Sequence, residues 1–178
     1  NNDGIIDERD KKVVSPYSNT PEIMFGLNLS ASWKGFDFSA LFQGAANRNV
    51  MLGGFATQMF INGDANLPRY LYEDRWTPDT RDARYPKAWG PDHPSNNKSS
   101  TFWLINGNYV RLKNVELGYS ISKDILSRVG VDRLRIYVGG SNLFSIDHMP
   151  GYDPEKQDGG PNYYPQQKVF NMGVNITC

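Results

Sequence analysis

Residues 22–46 read EIMFGLNLSASWKGFDFSALFQGAA. Ile23, Phe25, Leu27, Leu29 and Ala31 fall on one parity, and Met24, Gly26, Asn28, Ser30 and Ser32 on the other. A period of two is the signature of a strand. After Trp33-Lys34-Gly35, a turn sequence, Phe36, Phe38, Ala40 and Phe42 alternate with Asp37, Ser39 and Gln43. Two long strands around a tight turn predict a hairpin. Each has the ~9–11 residues of a tilted transmembrane strand.

The same period returns further on. Leu117, Tyr119 and Ile121 share a face after Val115, whereas Val110 and Leu112 fall on the opposite parity, which predicts a bulge or a change of environment between them. The Asn106-Gly107 pair is a candidate turn. Leu134, Ile136 and Val138 define another strand, and Phe170, Met172, Val174, Ile176 and Cys178 the last. Ser122 and Gly130 bracket a short predicted helix, and LPRYLYEDRW contains another. Five strands result, joined alternately by short connections (33–35 and 122–130) and long ones (47–100 and 147–165). That alternation matches a transmembrane antiparallel β-barrel with short periplasmic turns and long extracellular loops. The expected fold is therefore all-β, a barrel portion in which the apolar parity meets lipid. A soluble β-sandwich also alternates; strand length and the regular alternation of connections favour the barrel.

Composition agrees. The 178 residues carry 19 basic and 19 acidic side chains and no basic tract, which argues against nucleic acid. Aromatics reach 13%, suited to strands and long loops. The single cysteine, Cys178, permits no internal disulfide. No apolar run reaches the roughly 18 residues of a membrane helix, which leaves a barrel open.

The chain begins NNDGIIDERD. On a calcium-loop pattern, Asn1, Asp3, Ile5 (through its carbonyl), Asp7 and Asp10 take ligand positions 3, 5, 7, 9 and 12, with Gly4 at the sharp turn. Ca2+ needs several converging oxygens, which explains the spacing. Position 1 falls before Asn1, so the loop at 1–21 is expected to be cut. The alternative is a polar Asx turn without an ion.

Catalytic motifs are absent: there is no G-x-S-x-G, H-E-x-x-H or P-loop. His93 and His148 are isolated, and Asp153 and Glu155 around Pro154 suit a turn better than a glycosidase pair. An enzyme is not expected. In the 47–100 loop, Trp76, Tyr85 and Trp89 are candidates for contact with a substrate or a covering partner. Packing of the loop on itself, or a place in the interfacial aromatic girdle, is the competing role, and packing is favoured.

Taken in order, NNDGIIDERD, GFDFSALFQG, FWLINGNYVRLKNVELGYSIS, LRIYVGGSNLF and GYDPE resemble the C-terminal barrel region of the SusC/RagA family of TonB-dependent outer-membrane transporters. The resemblance covers the whole chain. It implies a barrel of about 22 strands, of which this chain would form the last quarter. It further implies import of glycans or oligopeptides across the outer membrane of a Gram-negative bacterium. A SusD-like surface lipoprotein would cover the loops, and TonB–ExbB–ExbD would supply energy through a region this chain lacks. The family usually ends on an aromatic residue, and Cys178 departs from that. A second functional class, a secreted calcium-dependent carbohydrate-binding β-sandwich module, is distinguished by where the apolar parity faces.

Overall fold

The structure is a computed structural model describing residues 3–5, 7–60, 66–89, 96, 98–126, 130–156 and 166–178. The chain divides into two compact units. One, the sheet unit, comprises Ile23–Ala46, Asn108–Asp147 and Pro165–Cys178; the other, the loop unit, comprises Asn1–Glu22, Asn47–Gly107 and His148–Tyr164.

The sheet unit is an antiparallel five-stranded sheet of β1 (Ile23–Trp33), β2 (Phe36–Ala46), β5 (Tyr109–Ser120), β6 (Arg133–Asp147) and β7 (Val169–Thr177), in that spatial order. The β1–β2 turn needs only two residues. Lys34 and Gly35 both take positive φ, at 47° and 88°, and Trp33 pairs directly with Phe36. Such a turn follows the right-handed twist of its strands. Gly35 has a second reason to be glycine, since a Cβ there would stand 2.8 Å from the carbonyl oxygen of Ser120. After β5, Ser122 accepts at its carbonyl from Ile125 and Leu126, starting the helix α2 (Lys123–Leu126), and Gly130 takes a φ of +70°.

The expected bulge is present. Leu41 pairs with Asn114 but Phe42 with Leu112, leaving Lys113 as the extra residue on β5. Its consequence is chemical. Lys113 reverses the parity of β5, so Val110 and Leu112 join Val115, Leu117 and Tyr119 on one face. Registers then run across the sheet as apolar rows: Ala31–Phe38–Leu117–Val138–Met172, and Trp33–Phe36–Tyr119–Ile136–Val174. Phe36 and Tyr119 touch, with ring centroids 4.6 Å apart. The opposite face carries Asp37, Ser39, Glu116, Arg135 and Asn175. There Arg135 donates to both Asp37 and Glu116, the latter at 2.7 Å.

The apolar face is uncovered. Phe25, Phe38, Leu117, Ile136 and Val174 are each 39–55% exposed. A two-layer sandwich would bury these five, and among the described residues it does not occur. Burying one such side chain is worth about 1.5–3 kcal/mol, so a face this large is not a stable water-exposed surface. An 11-residue strand at about 3.3 Å per residue is roughly 36 Å long, which at a 45° tilt spans the ~25 Å apolar band of an outer-membrane barrel. Sheet and rows together are those of a β-barrel portion. No described helix is long and apolar enough to cross a membrane.

Differences from expectation concentrate in the loop unit. The long connection does not stop at residue 100. Thr101–Trp103 form a 3-10 turn, and β4 (Leu104–Asn106) pairs with β3 (Asn49–Met51) in a separate small sheet. Asn106-Gly107 therefore does not fold a hairpin: β4 and β5 pair with different partners. Gly107 instead donates its N–H to the Arg48 carbonyl at 2.9 Å, and a Cβ on it would strike Arg48 and Val50 at 2.9–3.0 Å. The connection also has a core of its own. Val50, Leu52, Leu71, Tyr85, Trp103, Ile105 and Met149 are buried together, with the helix α1 (Arg69–Glu73) supplying Leu71.

Candidate functional site

Candidate chemistry lies in the loop unit. Arg48 is almost wholly buried and donates through Nη1 to the Pro154 carbonyl at 2.9 Å and through Nη2 to that of Lys156 at 2.6 Å. A buried guanidinium is retained where several fixed acceptors need it, and here it ties residues 154–156 to the start of the long connection. Sequence reading passes over Arg48, since a single basic residue among Asn and Gly looks like solvated loop. Asp153 Oδ1 accepts from the Glu155 N–H at 2.9 Å, the expected turn around Pro154.

Three tyrosines meet inside the unit. Tyr70 packs edge-on against Tyr85 and Tyr152, with centroids 5.4 and 5.8 Å away, and donates its hydroxyl to the Ala56 carbonyl. Burial pushes all three phenols above the usual tyrosine range, so they remain neutral spacers. Tyr85 also stacks on Trp103 at 6.1 Å, and Trp103 donates Nε1–H to the Asn96 carbonyl at 2.8 Å.

The predicted contact residues separate accordingly. Tyr85 is core, 6% exposed, whereas Trp76 (36%) and Trp89 (53%) reach solvent. Beside them opens a cleft of about 400 Å³ whose lining includes Trp76, Arg84, Tyr85, Lys87, Phe102 and Trp103. Its volume lies in the range of small-ligand sites. Sequence reading missed Arg84, Lys87 and Phe102. The signal available was their spacing around Tyr85 and Trp103, which becomes meaningful only once those two rings are known to be buried.

At the acidic loop, Asn1 and Ile6 lie outside the described residues, as does His93 elsewhere in the chain. Asp3 and Asp7 both turn a carboxylate oxygen to the Arg9 guanidinium, at 3.1 and 2.7 Å. Asp3 Oδ1 accepts from the Ile5 N–H, and Asp7 and Asp10 close a capping box around the 3-10 turn Glu8–Asp10. Hydrogen bonding to Arg9 holds the Asp7 carboxyl below its usual range. No described group of three or more acidic, His or Cys residues takes a metal-holding arrangement. The carboxylates suit a hard cation by chemistry, but the cation that Asp3 and Asp7 hold is Arg9. In the sheet unit, Arg111 and Lys113 both donate to Gln166 Oε1, at 3.0 and 3.2 Å.

Comparison with known proteins gives no matching family profile. TonB-dependent receptor P26 of Formosa agariphila is 29% identical over 99% of this chain and 19% of its own length. TonB-dependent receptor SusC of Bacteroides thetaiotaomicron is 27% identical over 99% of this chain and 17% of its own. The chain thus spans about a fifth of the curated relatives it matches. Among solved structures, the RagAB peptide transporter shares 27% identity at a TM-score of 0.66, covering 90% of this chain and 17% of that one. The RagAB importer in its closed-closed state, at 24% identity and a TM-score of 0.68, bears on fold alone. The apolar rows, the five-stranded order and these likenesses agree: the chain is similar to SusC/RagA-type TonB-dependent transporters over part of their β-barrel.

Proposed function

We propose that this chain forms part of the wall and extracellular surface of an outer-membrane importer of glycans or oligopeptides. The observation that carries this is the sheet with one continuous apolar face and one polar face. Lipid takes the apolar face, and the polar face lines the lumen. Residues 33–35 and 122–130 are periplasmic, and 1–21, 47–100 and 147–165 are extracellular. A SusD-like lipoprotein rests on the loop unit, and TonB–ExbB–ExbD drives the cycle through parts of the protein outside this chain. The relatives' names and the peptide transport of RagAB support import rather than catalysis.

Replacing residues 69–89 of the full-length protein by a short Gly-Ser linker tests the role of the loop unit. Strands β2 and β5 lie outside the cut, so the barrel should still assemble, seen as heat-modifiable migration. Uptake and lipoprotein co-purification should both fall severalfold. Normal values for both, at wild-type surface level, would reduce the loop unit to a cover.

Calcium at the acidic loop belongs to the same reading. Arg9 is 65% exposed; with it displaced, the loop would have to rearrange to bring Asn1, Asp3, the Ile5 carbonyl, Asp7 and Asp10 around a Ca2+ ion. In calorimetric titration of the full-length protein, Arg9→Ala should tighten calcium and Asp3→Ala weaken it, each by roughly tenfold. Identical heats for both variants and wild type would leave the loop as an Arg-centred turn.

A further inference from the structure

The cleft of the loop unit has a chemical bias that narrows the import reading, on which this inference rests. Its base is formed by the buried rings of Tyr85 and Trp103, and its open side by Trp76 and Phe102, which is 48% exposed. Two cations line it. The Arg84 guanidinium lies 5.5 Å from the Tyr85 ring centre, and the Lys87 ammonium 5.5 Å from that of Trp89. Among the described residues neither cation forms an ion pair, and no Asp or Glu lines the cleft. Asp74, the neighbouring acid, turns its Oδ1 to the backbone N–H of Arg84 at 3.2 Å.

The backbone here is already engaged. Trp76 N–H donates to the Tyr85 carbonyl at 2.8 Å, and Tyr85 N–H to that of Asp74 at 2.9 Å. A peptide that adds as a strand needs main-chain hydrogen bonds to a free edge, and the N–H groups of Trp76 and Tyr85 are already used. What it does offer is flat ring faces beside positive charge. Ring faces suit the C–H face of a sugar, and the cations suit a carboxylate or sulfate.

We propose that this cleft binds an acidic glycan unit, a pyranose ring stacked on Trp76 or Phe102 with its anionic substituent held by Arg84 and Lys87. Both cations are exposed, so their removal leaves the core of the unit intact. The test is calorimetry on the full-length protein in detergent, with tetragalacturonate, neutral maltotetraose and a tetraglutamate peptide as probes. Wild type should prefer tetragalacturonate, more strongly at low salt. The Arg84→Gln/Lys87→Gln double variant should lose about tenfold or more in affinity for it, with maltotetraose unchanged. Equal binding of the two sugars by wild type, or no loss in the double variant, would overturn the proposal. A tetraglutamate peptide that binds as tightly and loses the same factor would overturn the glycan assignment. Uptake and lipoprotein association in the 69–89 replacement report separately on the import reading, which each of these failures would leave standing.

Discussion

Trp103→Ala should cost the loop unit about 3–5 kcal/mol, the range for removing a large aromatic from a packed core. Trp103 is 3% exposed, stacks on Tyr85, meets Phe102 edge-on at 4.8 Å and holds the Asn96 carbonyl. β4 follows it directly, so the loss acts on the β3–β4 pairing as well. The loss should appear as faster amide exchange and protease cleavage across 47–107. The strands of the sheet unit should keep their protection, since their registers do not involve Trp103. Trp89→Ala, at a residue 53% exposed, should stay within about 0.5 kcal/mol of wild type. Equal, small effects for both would mean that the unit has no cooperative core.

The second large effect is expected on the sheet. Val138 lies in the apolar row with Phe38 and Leu117 and is 52% exposed. An arginine there would meet hydrocarbon. Lipid-facing charge costs about 2–4 kcal/mol near the bilayer midplane, so Val138→Arg should lower the urea midpoint of the bilayer-inserted protein and reduce its assembly. Ser39→Arg, on the polar face opposite Glu116, should be tolerated. If Val138→Arg proves silent and Ser39→Arg damaging, the faces are reversed.

The sheet was legible in the sequence because its signal is local and repeated. Every strand states its own parity, and the parity break between Leu112 and Val115 announced the bulge at Lys113. The loop unit was not legible for the opposite reason. Val50, Leu71, Trp103 and Met149 come from segments far apart in sequence, each too short to show a period. Irregular composition in 47–100 therefore read as loop, although it carries a core and the strand β3 that pairs with β4. Tyr85 and Trp89 look alike in sequence, yet one is core and the other surface. At the acidic loop, Asp3 and Asp7 share a partner, the Arg9 guanidinium. Arg9, placed between Asp7 and Asp10 in sequence, was overlooked as the cation that Asp3 and Asp7 hold.

The central claim is that this sheet crosses the outer membrane with its apolar rows against lipid. Adjacent residues on β2 test it most directly. Single cysteines at Phe38→Cys and Ser39→Cys, in a full-length background freed of other cysteines including Cys178, would be nitroxide-labelled in bilayers. Their collision rates with oxygen, which concentrates in lipid, and with a water-soluble nickel chelate would then be compared. Position 38 should favour oxygen and position 39 the chelate. Equal preference at both positions, or the reverse order, would contradict the account.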